Sequence, residues 1–228
     1  MTYEGVARRL ATVRDQIARS QRVGGWTHDV TIVAVTKGHG PEAVQAAAAA
    51  GLTVVGENRV QEAIAKQDHV GPTAVEWHLI GSLQRNKARL AVGRFALIHS
   101  VDRAELVAEL AKRVAPGSPQ PVLVEVNCSE ETQKGGVTVA GARALIDGVR
   151  AQPALAFRGL MTMAAFSDDE RVQRSSFGLL RRLKEQLESE GIAVPELSMG
   201  MSGDYPVAVE EGATMVRLGT ILFGERQP

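Results

Sequence analysis

The sequence contains a single cysteine, no long apolar run and no excess of charge of either sign. Cys128 cannot form an intrachain disulfide, which is typical of a reducing compartment. The 26 basic side chains balance 26 acidic ones, so charge gives no reason to expect nucleic acid or an anionic membrane as a partner. The segment MTYEGVARRL lacks the apolar core of a signal peptide, and the alanine-rich stretch 43–52 is too short to span a bilayer. We therefore expect a cytoplasmic protein that binds neither membranes nor nucleic acids.

Two motifs that would indicate other binding functions are also missing. No G-x-G-x-x-G follows the first apolar run, so a dinucleotide-binding fold has no support. The five histidines form no H-x-x-x-H pair, so their spacing favours no metal site. With 44% hydrophobic and 23% charged residues, the 228-residue chain has the composition of a globular protein and not of a disordered or coiled-coil one. No linker divides it, and we expect one domain over residues 1–228.

Short β-branched runs alternate with segments of helical period along the whole chain. Apolar residues spaced by three and four predict a leading amphipathic helix over residues 2–22. Eight apolar runs of strand length follow, each with a helical segment after it. They cover 30–36, 52–56, 76–81, 95–100, 121–127, 155–163, 196–201 and 214–219. Continuous apolar strands are buried on both faces, which indicates a parallel sheet, so we predict an α/β fold, a (β/α)8 TIM-type barrel with an extra N-terminal helix. An open doubly wound sheet is the alternative.

Polar residues at the carboxyl ends of these strands are the candidates for a functional site, because barrels of this class carry their active sites there. Lys37 follows the first strand, Asn58 the second and Ser202 the seventh, whereas His78 lies within the third. Arg217 lies within the eighth strand, and Gly219 and Thr220 follow it.

The loops after the seventh and eighth strands have the composition of a phosphate site. Phosphates in such barrels bind at these two loops, to backbone N–H groups and hydroxyls near helix starts. Ser202 and Gly203 lie in the first loop, and Gly219 and Thr220 lie in the second. Tight turns alone would also use serine and glycine, but their coincidence in both loops favours a phosphate.

Lys37 directly follows an apolar strand, where a charged side chain is unusual. Its amine can extend into solvent, pair with an acid or react. Desolvation inside a barrel mouth disfavours the ammonium form and frees the amine for Schiff-base formation. A reactive lysine opposite a phosphate site describes a phosphorylated aldehyde, of which pyridoxal 5′-phosphate (PLP) is the obvious candidate. Arg217, next to the phosphate loop, can bind the ring nitrogen of this cofactor.

Several motifs resemble the pyridoxal phosphate homeostasis protein family, single-domain relatives of the alanine racemase N-terminal barrel. The resemblance runs from Ala7 to Gly224 and is carried by AVTKGHGPEAV, GENRVQEA, WHLIGSLQRNKAR and LSMGMSGDYPVAVEEGATMVRLGTILFG. It implies a PLP fold-type III barrel with the cofactor on a Schiff-base lysine. The implied residues are Lys37 for the Schiff base, Ser202, Gly219 and Thr220 for the phosphate, Arg217 for the ring nitrogen, Asn58 and His78 near the cofactor, and Met199 packed against it.

The sequence departs from this family at two places near the lysine and the second strand. Arg59 stands where many relatives have a tyrosine, and Gly38-His39-Gly40-Pro41 replaces a segment that often has proline directly after the lysine. The second difference changes access to the face of the cofactor and leaves the lysine in place.

The resemblance implies a protein that holds and buffers PLP, with little or no turnover, and that can supply PLP-dependent apoenzymes. The alternative is a PLP-dependent amino-acid racemase or lyase. A racemase needs two positioned acid–base groups; Lys37 can be one, and Tyr205 is a candidate for the other. Alanine racemases take theirs from a further domain, which we do not expect because the chain ends at Pro228, soon after the eighth strand. A third possibility is an aldolase-like barrel, but its lysine usually lies on a later strand. No apolar stripe is left over for an interface, so we expect a monomer.

Overall fold

Strands and helices alternate along the chain, as the spacing of apolar residues predicts. The computed structural model describes residues 3–129, 131 and 134–225. The helices there are α1 Val6–Gly24, α2 Pro41–Ala49, α3 Val60–Val70, α4 Ala88–Ala91, α5 Ala104–Ala111, α6 Val139–Arg150, α7 Glu170–Ser189, α8 Tyr205–Glu210 and α9 Thr220–Phe223, with a 3₁₀ turn at Arg85–Lys87. The strands are β1 Thr31–Val35, β2 Val54–Glu57, β3 Glu76–Leu79, β4 Leu97–Val101, β5 Gln120–Asn127, β6 Val137–Thr138, β7 Leu155–Met161, β8 Glu196–Ser198 and β9 Met215–Leu218.

Eight of these strands close into a parallel barrel. Each pairs in parallel with its neighbour, in the order β1, β2, β3, β4, β5, β7, β8 and β9, and β9 returns to β1. The two-residue β6 adds to the side of β5 as a short extra strand. The predicted barrel is therefore confirmed, and the pairing of β1 with β9 excludes the open sheet.

The core has two layers, one on each side of the barrel wall. Side chains that point outward from the strands form one large cluster with the helices. Side chains at the alternate positions point into the barrel, where a small cluster contains Leu97, Leu123, Met161 and Met215. Polar groups are also buried in the barrel interior, among them Glu125, His78, His99, Ser198 and Arg217. No helix in the described part of the chain is both long and apolar enough to cross a bilayer.

The predicted start of the first helix is wrong, and α5 lacks the cap that its sequence suggests. The first helix begins at Val6 and not at residue 2, which lies outside the described residues, because Gly5 adopts a left-handed conformation with φ 86° directly before it. Asp102 with Glu105 resembles a capping box, but α5 has Arg103 at its N-cap and no side-chain cap. The carboxylate of Asp102 instead accepts a hydrogen bond from the guanidinium of Arg103. An arginine next to the acid therefore competes with the helix N-terminus.

Gly159 lets β7 fit between β5 and β8. Its φ is 136°, and a Cβ there would lie well inside contact distance of the backbone of Glu196. Because the neighbouring backbone cannot move freely, we expect Gly159→Ala to lower the free energy of unfolding by more than about 2 kcal/mol. Urea denaturation followed by circular dichroism measures it.

A glycine elsewhere provides the matched control. Gly148 lies within α6, and a Cβ there would meet nothing within 4 Å. Gly148→Ala should therefore raise stability by about 0.5–1 kcal/mol, the helix propensity difference between the two residues. Equal changes in the two variants would show that the backbone of Glu196 does not constrain position 159.

Candidate functional site

A cavity of about 250 Å³ opens at the carboxyl ends of the barrel strands. Six of the eight predicted site residues line it, and they come from the ends of four neighbouring strands. They are Lys37, Asn58, Ser202, Arg217, Gly219 and Thr220. The cavity therefore brings the lysine, the two candidate phosphate loops and the arginine together in one place.

A tight turn directly after β1 positions Lys37. The His39 N–H donates to the carbonyl of Thr36 at 3.0 Å, which places Lys37 and Gly38 at the centre of a β-turn. Gly38 has φ 75°, a left-handed conformation that favours glycine at the third position of such a turn. Lys37 itself is half-buried at the wall of the cavity.

The hydroxyl of Ser202 joins the two candidate phosphate loops. Its Oγ accepts hydrogen bonds from the backbone N–H groups of Gly219 and Ile221, both at 3.3 Å. A hydroxyl has two acceptor lone pairs and one proton. Both lone pairs are used by the backbone, so the proton of Ser202 is left to donate toward the cavity that the residue lines.

Arg217 is buried inside the barrel and held on two sides. One terminal nitrogen (Nη1) donates to the carbonyl oxygen of Ser198 at 2.8 Å and to its Oγ at 2.7 Å, and Nη2 donates to the carbonyl of Thr162 at 2.9 Å. Burial lowers the pKa of Arg217 to about 10, and the carboxylates of Asp204 and Glu125 oppose this decrease. The guanidinium therefore keeps its charge at neutral pH.

A chain of hydrogen bonds leads from Arg217 across the barrel interior. Because the guanidinium can only donate, the Oγ of Ser198 accepts from it, and its own proton goes to Nδ1 of His99 at 2.9 Å. His99 then carries its proton on Nε2 and donates to Nδ1 of His78 at 3.0 Å. Burial lowers the pKa of His78 to about 4 and that of His99 well below its ordinary value, so both rings are neutral at neutral pH. The predicted residue His78 thus reaches Arg217 through two intervening side chains.

Three other candidates lie away from the cavity wall. His78 lies inside the barrel, as described. Met199 is fully buried in the large cluster between the strands and the helices, and Met201, two residues later, lines the cavity. Tyr205 begins α8 and is buried in the same cluster, where desolvation raises the pKa of its hydroxyl. Its position does not provide a second acid–base group at the cavity.

Two polar residues near the site are not among the residues predicted from the sequence. His39 lines the cavity, and its Nδ1 lies 3.4 Å from the hydroxyl of Tyr3. Glu125 is buried inside the barrel; desolvation and, less strongly, the nearby Asp102 raise its pKa to about 7. The sequence could have indicated this position, because Glu125 lies two residues after the inward-facing Leu123 in VLVEVN and so points to the same side of the strand. Among the described residues, no group of three or more histidine, cysteine or acidic side chains could hold a metal ion.

Comparisons with known proteins identify similar sequences and structures. The family described as alanine racemase, N-terminal domain, matches residues 9–227. The pyridoxal phosphate homeostasis protein of Aquifex aeolicus is 40% identical over 222 residues, which cover 96% of this chain and 97% of that one. The protein of the same name from Vibrio alginolyticus is 40% identical over 211 residues, 90% of this chain and 91% of that one. Among solved structures, PipY of Synechococcus elongatus with PLP bound has 37% identity and a TM-score of 0.84, and the match covers 96% of this chain and 100% of that chain.

Proposed function

This chain belongs to the pyridoxal phosphate homeostasis protein family, and from that premise we propose that it holds PLP at the barrel mouth through Lys37. The observation that carries the proposal is that the amine-bearing Lys37 and the hydroxyl of Ser202 line one cavity. The names of the relatives and the PLP in the PipY structure support the choice of ligand.

The residues of the cavity fit the groups of this cofactor. A primary amine suits its aldehyde, the donating hydroxyls of Ser202 and Thr220 suit its phosphate, and the charged Arg217 suits its ring nitrogen. The volume of about 250 Å³ is slightly below the ~300–1,000 Å³ of pockets for drug-sized ligands. When bound, PLP supplies an aldehyde that condenses reversibly with an amine and a ring that withdraws electrons.

Each of three residues of this chain has a different role in holding the cofactor. Lys37 would hold the aldehyde of the cofactor as a Schiff base, formed with loss of one water, and hydrolysis would release the cofactor again. The hydroxyl of Ser202 links the two candidate phosphate loops and would donate its proton to the phosphate of the cofactor. Arg217, already charged, would donate to the ring nitrogen of the cofactor and leave it unprotonated, which would weaken the ring as an electron sink. A weaker electron sink would make carbanion chemistry on an amino acid harder, which supports storage of the cofactor, although racemases of this fold work with an arginine at this place.

Racemase or lyase activity is the competing function. A racemase needs a second proton-transfer group beside Lys37, and Tyr205 is buried in the core away from the cavity. His39 is the other candidate for this group, because its imidazole lines the cavity, where it is hydrogen-bonded to Tyr3. Steady turnover of an amino acid that is lost in His39→Gln would support an enzyme. Delivery to apoenzymes, a cytoplasmic location and a monomeric state remain predictions.

The proposal is tested by adding PLP to the purified protein. We expect a saturable change in the visible spectrum and, after borohydride reduction, one stable label on the peptide that contains Lys37. The absence of both a spectral change and a label would contradict PLP binding. A label confined to other lysines would contradict the assignment to Lys37.

Ser202→Ala should weaken binding of PLP selectively through the phosphate. Hydrogen bonds to charged groups contribute about 1.5–3 kcal/mol, so we expect PLP affinity to fall roughly 10–100-fold. Pyridoxal, which lacks the phosphate, should bind both proteins equally. Spectral titration measures both affinities, and Ser82→Ala is the control because Ser82 is an exposed serine of a neighbouring cavity. Equal losses for PLP and pyridoxal would rule out a phosphate contact.

A further inference from the structure

A buried ion pair lies behind Lys37, on the outer side of the barrel wall. The Nζ of Lys66 donates to Oε1 of Glu57 at 2.6 Å and to the carbonyl oxygen of Thr36 at 2.7 Å. The hydroxyl of Thr36 donates to the same Oε1 at 2.5 Å. Glu57 and Thr36 are fully buried and Lys66 is 9% exposed. The site as proposed above does not use either charge.

The period of each element explains why these side chains meet. Val60, Ala63 and Lys66 are the buried residues of α3, spaced by three, so Lys66 lies on the face turned toward the barrel. Val35 lines the cavity inside the barrel, and Thr36, the next residue, faces outward. Glu57 shares the outward face of β2 with Val55, which packs in the outer cluster.

The pair fixes the residue directly before Lys37. The N–H of Thr36 donates to the carbonyl of Gly56 at 3.1 Å. Its carbonyl accepts from the Nζ of Lys66 and also from the N–H of His39, the hydrogen bond that closes the turn around Lys37. All the polar groups of Thr36 are therefore engaged, and the carbonyl that starts the turn is oriented by a buried charge.

Stability alone is a poor reason for such a pair, because replacing a buried ion pair by apolar side chains is often neutral or stabilising. We infer that Lys66 and Glu57 are positioning residues that hold the turn at Thr36–His39 and so aim Lys37 into the cavity. The inference rests on the proposed function only in its claim about PLP. Lys66 does not itself compete for the aldehyde, since its ammonium is bonded to two acceptors inside the protein.

The test compares Lys66→Met with the control Lys184→Met. The Nζ of Lys184 also bonds one carboxylate, Glu188 at 2.8 Å, and one backbone carbonyl, Val194, but it lies on α7 away from the cavity. The first measurement, made before PLP is added, is amide hydrogen exchange at His39. We expect Lys66→Met to speed it at least about tenfold, because the turn opens more easily, and Lys184→Met to leave it unchanged.

The second measurement is PLP affinity by spectral titration. Covalent capture depends on how well the amine is placed against the aldehyde, so we expect Lys66→Met to bind PLP about tenfold or more weakly and Lys184→Met to bind as the wild type does. The double variant Lys66→Met/Glu57→Gln removes the unpaired buried acid, and a positioning role predicts that it stays weak even if it regains thermal stability.

The outcomes separate the inference from the proposed function. A wild-type protein that does not bind PLP would contradict the function and leave the exchange measurement as the test of the turn. If the wild type binds and both Lys66 variants match it in affinity and in exchange at His39, the inference is wrong. Equal weakening in Lys66→Met and Lys184→Met would also overturn it, because it would reflect a general loss of stability.

Discussion

Lys37→Ala is expected to abolish covalent capture of PLP by this protein. The methyl group offers no amine to the aldehyde, while the hydroxyl of Ser202 and the guanidinium of Arg217 still line the cavity. Affinity without the covalent link should persist weakly, and the spectrum of bound cofactor should become that of the free aldehyde. Borohydride reduction followed by peptide mass measurement should detect no label at position 37 and none in stoichiometric amount elsewhere.

Lys87→Ala is the matched control for this experiment. Lys87 lines the neighbouring cavity, which shares Asn58 with the site, so it is a lysine close to the mouth but outside the proposed geometry. This variant should be labelled like the wild type. A Lys37→Ala protein that still gives one full equivalent of reduced cofactor would move the site to another lysine.

Glu125→Gln is expected to raise the free energy of unfolding at pH 8 by up to roughly 3 kcal/mol, with no gain below about pH 4.5. Burial raises the pKa of Glu125 from 4.5 to about 7 in the folded protein, and each tenfold change in proton affinity corresponds to about 1.36 kcal/mol. At low pH Glu125 is protonated in both the folded and the unfolded state, so its burial does not lower the free energy of unfolding. As the pH rises from about 4.5 to 7 only the unfolded state releases the proton, so stability is lost. Glutamine has no charge to bury.

The comparison must be made between variants, because other groups titrate in the same range. Burial lowers the pKa of His78 to about 4, so this residue makes stability rise with pH between about 4 and 6.5, opposite to Glu125. Subtracting the wild-type profile from that of Glu125→Gln, each from urea unfolding at several pH values, removes this contribution.

An acid with the opposite shift provides the control. Half-buried Glu109 on α5 accepts a hydrogen bond from Arg113 at 2.8 Å, which lowers its pKa. Glu109→Gln should therefore lose stability at pH 8 and not gain it. If the difference in free energy of unfolding between Glu125→Gln and the wild type did not change from pH 4 to 8, burial would not raise the pKa of Glu125.

Residues at strand ends show how much of the candidate site can be predicted from the sequence. Lys37, Ser202 and Thr220 were predicted to share a site because the carboxyl ends of parallel strands converge, and the structure places them at one cavity. Their approach depends only on strand order and on the closure of the barrel, which the eight repeated apolar runs predict. His78 and Met199 show the limit of the same reasoning. A motif indicates the strand, but the pleat decides which face a side chain occupies, and it places Met199 in the outer core and His78 deep inside the barrel.

Contacts between elements far apart in sequence were not predictable in this way. The chain Arg217–Ser198–His99–His78 joins four strands, and it forms only because the stagger of those strands brings the inward side chains close together. Lys66 meets the carbonyl of Thr36 across 30 residues because α3 packs against the outer wall at one particular angle.

The order of apolar runs, the lysine after the first strand and the small residues after the last two are properties of the sequence. They determined the barrel and which of these side chains lie at its mouth. The tertiary structure decided which buried polar groups pair, which protons the neutral histidines carry and what holds the turn around Lys37. Local patterns set the period of each element and the face that it buries. Hydrogen bonds and ion pairs across the barrel depend instead on distances of a few ångströms, which only the packing of the whole chain determines.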